Sequence, residues 1–130
     1  MPILEWDTKY CVGHYNLDEQ HKKIFKLIND YYDSSDDFSK NEDNILNELV
    51  KYANEHLIYE ERFFDEYNYP DKERHKEIHS IYKDKVQEFV SNKENTKPDD
   101  IIQFLSNWWI KHIRGEDKKY QKFFEDNRIF

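Results

Sequence analysis

Histidine and glutamate residues interrupt the apolar faces of four separate helix-like stretches in this chain. Each stretch repeats apolar residues at intervals of three and four, the spacing of one face of an amphipathic helix. The interrupting residues are His21, His56, Glu60, His75, His79 and His112. Burying one such group without a partner costs roughly 2–7 kcal/mol, so six of them in one core require a common partner. A metal centre is the partner that fits imidazole and carboxylate groups.

Two pairs within this set have the spacing that chelation from a helix requires. His56 and Glu60, like His75 and His79, are four residues apart and therefore lie on the same helix face, one turn apart. Asp117 follows His112 by five residues, which on an ideal helix would rotate it off the histidine's face. We expect a local irregularity there, which Gly115 would allow.

The number and chemistry of these groups favour two metal ions over one. Five imidazoles with at least one carboxylate exceed the ligands of a single four-coordinate zinc, whereas two metals bridged by carboxylates would use them all. Imidazole with carboxylate suits iron, and a lone cysteine, Cys11, argues against iron–sulfur or blue-copper sites. A ferritin-like site is disfavoured because no histidine has a glutamate three residues before it.

Taken alone, a helical histidine is more often an ordinary core residue than a metal ligand, and the joint pattern carries the metal hypothesis. His14 precedes the first apolar stripe, and we expect it to be exposed and outside the site. Cys11 has no evident base beside it and is interpreted as an inert thiol.

Breaks in the pattern predict the elements that position these residues. Polar or proline-containing stretches lie at 33–37, 68–70 and 92–98, and no segment alternates with a period of two. The sequence therefore predicts an all-α fold, an up-down-up-down antiparallel four-helix bundle with helices at about 17–34, 42–66, 70–92 and 98–127. Residues 1–16 are expected to form an irregular arm that packs through Trp6, Tyr10 and Tyr15.

Composition limits the class of protein. The 130 residues fit a single domain over 1–130, and a net charge of -8 argues against nucleic acid or an anionic membrane as partner. Only Gly13 and Gly115 are present, which excludes a glycine-rich phosphate loop. No apolar run approaches the roughly 18 residues of a membrane span, and the start lacks the pattern of a signal peptide. We expect a cytoplasmic protein.

The polar residues also form a recognisable signature with their neighbours. The four segments are Asp18-Glu19-Gln20-His21-Lys22, His56-x-x-x-Glu60-Glu61, His75-x-x-x-His79 and Trp108-x-x-x-His112-x-x-x-x-Asp117. In order and helix placement they resemble the ligand signature of the hemerythrin family, and the resemblance runs from about residue 12 to 120. Val12-Gly13 and the first segment are most similar to single-domain bacteriohemerythrins.

The resemblance implies a non-haem di-iron centre. His75, His79 and His112 would ligate one iron and His21 and His56 the other, with Glu60, Asp117 and an oxo or hydroxo group as bridges. The two-histidine iron would keep an open position for dioxygen. Two residues depart from the family pattern: Leu57 replaces a frequent phenylalanine, and Trp109 replaces a smaller aliphatic residue beside the pocket. We predict that Trp109 controls access to the open iron.

The resemblance implies reversible dioxygen binding for transport, storage, scavenging or delivery. Two alternatives remain open from the sequence: turnover of peroxide or nitric oxide at the same iron, and an oxygen-sensing or interaction module. Catalysis is disfavoured because no dedicated acid or base is evident near the site. Dioxygen and a redox partner that keeps the irons ferrous are the expected partners, and a monomer is favoured.

Overall fold

The computed structural model describes residues 4–35, 42–92 and 95–129, and this part of the chain is helical without strands. A 3-10 turn at Thr8–Tyr10 precedes five α-helices and one π-helical turn. They are α1 (Tyr15–Ser35), α2 (Glu42–Glu66), α3 (Lys72–Ser91), α4 (Pro98–Lys111), the π-turn (His112–Asp117) and α5 (Lys118–Asp126). Because α4, the π-turn and α5 follow without a break, the architecture is the predicted four-helix bundle, with α1 packed on α2 and α4, and α2 on α3.

Local chemistry accounts for where the helices begin and end. Pro98 opens α4, where its missing N–H is not needed, and Asp99 and Asp100 in the first turn complement the helix dipole. After α2, Asn68 adopts a left-handed φ of 53° and the N–H of Tyr69 donates to the carbonyl of Phe64 at 2.9 Å. This bond closes a Schellman turn at the break that the sequence predicts.

The bounds differ from the sequence expectation by one or two residues at five helix ends, and α3, expected at about 70–92, spans Lys72–Ser91. The first helix starts at Tyr15, so the arm ends at residue 14, and α1 continues through Ser35. The rest of the polar stretch predicted as a loop at 33–37 lies outside the described residues. The last helical run ends at Asp126 and contains the π-turn. Within the described ranges, every helix is too short or too polar to serve as a membrane-spanning segment.

The arm packs on α1 through two of the three aromatic residues expected to do so. The rings of Trp6 and Tyr10 meet the ring of Phe25 edge-on, at centroid distances of 5.3 and 5.0 Å. The expectation for Tyr15 was wrong, because this residue is 73% exposed on the outer face of the first turn of α1.

The apolar core consists of two clusters with a polar layer between them. Along α1, Leu17 belongs to one cluster and Ile24 to the other, and His21 lies between them in sequence. Along α2, Glu60 similarly separates Leu57 from Phe64. Within the described residues, the bundle thus places every buried charged or imidazole group except His14 at one level, where they can meet.

His14 corrects another sequence expectation, because it is buried and only 4% exposed. Its Nδ1 accepts the N–H of Leu17 at 3.3 Å, and its ring contacts the rings of Phe63 and Phe124. Gly13, with a φ of +80°, turns the chain so that this side chain folds back over the start of α1. His14 therefore acts as a helix cap inside an apolar pocket, and burial lowers the pKa of its imidazole.

We expect His14→Ala to lower the free energy of unfolding by about 1–2 kcal/mol, the usual loss when a helix cap is removed. His14→Asn keeps a capping oxygen and should recover part of the loss. The pKa of His14 is lower in the folded protein than in the unfolded chain. Its contribution to the free energy of unfolding is therefore complete above about pH 6.5 and decreases as the pH falls, because the unfolded chain takes up the proton first. The test is urea denaturation of wild type and His14→Asn between pH 5 and 8, where a constant difference would contradict the argument.

Candidate metal centre

Seven side chains from all four helices of the bundle, the fourth being α4 with the π-turn and α5, meet in the polar layer. One comes from α1, two from α2, two from α3, and the last two are the first and last residues of the π-turn. None is more than 4% exposed. They are the seven predicted from sequence and resemblance: His21, His56, Glu60, His75, His79, His112 and Asp117.

The π-turn brings Asp117 to the same side of the helix as His112. A π-helix bonds residue i to residue i+5, so a spacing of five returns the side chain to the starting face. The Nε2 of His112 and the Oδ1 of Asp117 are 3.0 Å apart. The irregularity expected from the sequence is present. It does not need a glycine at position 115 for steric reasons, because a Cβ added to Gly115 would meet no neighbouring atom within 4 Å.

The seven side chains form two overlapping groups whose ligand atoms lie within 4.8 Å of one another. The three-histidine group consists of Glu60, His75, His79, His112 and Asp117. The two-histidine group consists of His21, His56, Glu60 and Asp117. The two carboxylates are shared, so each group holds its own imidazoles and both use the same acids.

Glu60 presents one oxygen to each group. Its Oε1 lies 3.0 Å from Nε2 of His75 and 3.2 Å from Nε2 of His79. Its Oε2 lies 3.3 Å from Nε2 of His56 and 3.9 Å from Nε2 of His21. This is the arrangement in which one carboxylate could bridge two cations.

Asp117 divides its oxygens in the same way. Its Oδ1 lies 3.1 Å from Nε2 of His75 and 3.0 Å from that of His112. Its Oδ2 lies 3.2 Å from Nε2 of His21. The two acids therefore approach the same pair of positions from different helices.

Hydrogen bonds behind the site orient several of these groups. Gln20 Oε1 lies 2.6 Å from Nδ1 of His56, and Glu61 Oε2 lies 3.0 Å from Nδ1 of His79. Each contact leaves the Nε2 atom directed into the site. The hydroxyl of Tyr120 donates to Glu60 Oε2 at 3.0 Å. Sequence reasoning assigned no role to these three residues, although Gln20 and Glu61 stand directly beside predicted ligands.

The charges of the site are balanced internally. Burial by itself would raise the pKa of Glu60, but the imidazoles of the surrounding histidines, with nitrogens 3.0–3.9 Å from its oxygens, outweigh it and hold this pKa well below its usual value. Burial would lower the pKa of His21 and His75, but the close carboxylates of Asp117 and Glu60 raise these pKa values to about 9 and 10. Ionised acids thus hold protons on neighbouring imidazoles, and a cation that binds here would displace those protons.

Unpaired buried atoms indicate that the donor set fits metal cations. Within the described residues, Glu60 Oε1, both Asp117 carboxylate oxygens and both ring nitrogens of His75 have no well-formed hydrogen bond. The Nε2 atoms of His21 and His56 face each other at 3.0 Å, as do those of His79 and His112 at 3.1 Å. Nitrogen and oxygen donors that converge without thiolates suit iron and similar first-row metals.

Comparison with known proteins identifies relatives along almost the whole chain. The sequence profile of the hemerythrin HHE cation binding domain matches residues 12–124. A hemerythrin-like protein of Naegleria gruberi is 38% identical over 116 residues, which cover 89% of each chain. A myohemerythrin of Theromyzon tessulatum is 32% identical over 120 residues, or 90% of each chain. A bacteriohemerythrin of Stenotrophomonas maltophilia is 27% identical over 123 residues, or 92% of this chain and 80% of the relative.

A solved structure shares the fold. The crystal structure of a leucine-to-phenylalanine mutant superposes with a TM-score of 0.87, covering 94% of this chain and 97% of the other. The sequences are 23% identical, so this likeness concerns the arrangement of helices alone.

The shared carboxylates lead to a prediction about metal stoichiometry. Removing one histidine of the two-histidine group, as in His56→Ala, should cost about one metal ion per chain. Glu60→Ala should cost both, because each group loses a ligand oxygen and a negative charge. Metal analysis of the purified variants measures this. His14→Asn, altered outside the site, is the control and should keep the wild-type content; equal losses in the His56 and Glu60 variants would contradict a shared acid.

Proposed function

The chain belongs to the hemerythrin family, and from this membership we propose that it binds dioxygen reversibly at a non-haem di-iron centre, for oxygen transport, storage, scavenging or delivery. The family is known for dioxygen binding at such centres. Cys11 is a free thiol, which supports our proposal that the protein works in the cytoplasm, beside a redox partner that keeps the irons ferrous.

We propose that the three-histidine group and the two-histidine group each hold one iron. Glu60 and Asp117 would be the protein bridges, together with an oxo or hydroxo group. The chemistry that such an iron pair supplies when bound is reversible binding of dioxygen at an open coordination position. The asymmetry of the two groups supports this proposal most directly, because five side chains surround one position and only four the other.

The protein residues around the site keep water and mobile protons away from it. The rings of Phe64 and Tyr120 lie 4.8 and 5.9 Å from that of His75, and Trp108 stacks on His112. The nearest hydroxyl, that of Tyr120, is fully buried, and burial raises its pKa well above the usual value. It therefore holds its proton on the bond to Glu60 instead of passing it to a ligand.

This proton-poor setting favours a carrier over an enzyme. Turnover of peroxide or nitric oxide requires protons to be delivered at the reacting atoms. Glu61, the nearest further acid, is engaged with His79 Nδ1. Steady-state consumption of peroxide by the iron-loaded protein would overturn the proposal of a non-enzymatic role.

The proposed function predicts which metal is bound and how it responds to air. We expect about two irons per chain and a colour change when the reduced protein meets air, reversed when oxygen is removed. Metal analysis with visible spectra recorded under argon, in air and again under argon measures both. One tightly bound zinc per chain, without a spectral response to oxygen, would refute the assignment. A structural metal centre in an interaction module would likewise give no response.

Trp109 borders the two-histidine group at His56 and, less closely, the three-histidine group at His112, whose ring is 6.3 Å away. Its ring is fully buried at 5.8 Å from that of His56, and its Nε1 donates to the hydroxyl of Tyr82 at 3.1 Å. The bond to Tyr82 fixes the indole in one orientation. We propose that this indole partly fills the space through which a small ligand reaches the two-histidine iron.

Trp109→Leu should open that space, because an aliphatic side chain is much smaller than an indole. We expect faster azide binding to the oxidised protein by stopped flow, and faster oxidation of the ferrous protein in air. Tyr82→Phe is the matched control, since it removes the anchoring hydroxyl and keeps the bulk in place. If Trp109→Leu leaves both rates within about twofold while stability falls by the few kcal/mol typical of a shortened core aromatic residue, Trp109 is a packing residue alone.

A further inference from the structure

A surface hollow reaches the buried site at His112. It has a volume of about 250 Å³ and is lined by Ile78, Trp108, Lys111, His112 and Glu116. Of the seven site residues, His112 is the most exposed, at 4%, whereas the remaining six are at 2% or below. The three-histidine group therefore has its shortest route to solvent along this side chain.

The indole of Trp108 forms the cover over this route. Its ring stacks on that of His112 at 4.3 Å with an interplanar angle of 15°, and its other neighbours include the ring of Tyr82 at 4.1 Å. Trp108 is half-buried and also lines a second hollow on the surface, so part of its ring faces solvent. A side chain in this position can swing outward with less loss of contact than a fully buried one.

The backbone beneath the cover is the irregular part of the bundle. His112 and Asp117 are the first and last residues of the π-turn, and the N–H of His112 is shared between the carbonyls of Trp108 and Trp109. A π-turn has poorer backbone hydrogen bonding than an α-helix, and Gly115 within it lowers helix stability further. The other five site residues lie within regular α-helices. Local opening is therefore easiest where two ligands of the three-histidine group would be released together.

We propose that the hollow beside His112 is the port through which divalent metal ions enter and leave the centre, opened by loosening of the π-turn under Trp108. The inference depends on the metal-holding part of the proposed function and not on dioxygen binding. It also separates two routes, because Trp109, the neighbouring residue, is fully buried and its ring lies closer to that of His56, at 5.8 Å, than to that of His112, at 6.3 Å. Metal exchange and small-ligand access would then occur at different ends of the site.

The test measures release of ferrous ion from the loaded full-length chain under argon, with excess bipyridine as a coloured chelator. Trp108→Ala should release iron up to about tenfold faster, the factor that corresponds to loss of one aromatic contact. Phe104→Ala is the matched control, because Phe104 lies one turn earlier on α4 and packs on Tyr82 without contacting His112. Its release rate should remain within twofold of wild type.

Gly115→Ala tests the opening itself and changes the rate in the opposite direction. The added methyl meets no neighbour, and alanine favours a helical backbone over glycine, so release should slow about fivefold. General damage to the fold cannot produce this result, because damage accelerates release. The equilibrium iron occupancy of this variant in competition with the same chelator should stay within twofold of wild type, since a port changes the rates of metal binding and metal release by the same factor.

The outcomes separate the port from the proposed function. Unchanged release rates in both Trp108→Ala and Gly115→Ala would overturn the port while leaving the metal centre intact. Equal acceleration of iron release in Trp108→Ala and Phe104→Ala would also overturn the port. So would changes in release rate that are fully explained by changes in the equilibrium iron occupancy of the same variants. A wild-type chain that retains no metal would overturn the proposed function and the port together.

Discussion

Two buried carboxylates surrounded by five imidazoles are the constraint on which the rest of this structure depends. A charge in an apolar core is tolerated only when it is paired and hydrogen-bonded, and Glu60 and Asp117 are both fully buried. All four helices of the bundle must therefore bring their polar groups to the same level. The apolar core is divided into two clusters as a consequence, and α1 and α2 contribute apolar residues to both clusters, on either side of their polar positions.

The π-turn shows how the backbone adapts to this constraint. An α-helix through residues 112–117 would carry Asp117 away from His112 and leave one acid unpaired in the core. One wider turn restores the pairing at 3.0 Å, at the expense of regular helical hydrogen bonds. The same turn is held from outside by Arg74, whose guanidinium donates to both carboxylate oxygens of Glu116 at 2.5 and 2.9 Å. The irregularity at the site is thus supported by an ion pair to the start of α3.

Much of this arrangement can be predicted from the sequence, because helical periodicity determines which side chains share a face. The pairs four residues apart and the irregular spacing of His112 and Asp117 follow from geometry alone. His14 could not be placed this way, since its burial depends on Phe63 and Phe124 from two other helices. The roles of Gln20 and Tyr120 are likewise tertiary, because each bonds a residue at least 36 positions away.

The two adjacent tryptophans show why sequence position alone does not give function at such a site. Trp108 and Trp109 are neighbours on α4, yet consecutive helical residues point about 100° apart. One indole stacks on His112 and faces solvent, whereas the other is enclosed beside His56 and bonded to Tyr82. Trp108 therefore borders the three-histidine group at His112, whereas Trp109 lies between the groups, 5.8 Å from His56 and 6.3 Å from His112. The two neighbouring indoles differ in burial and in the side of the site that each contacts most closely, so a change in one is not equivalent to a change in the other.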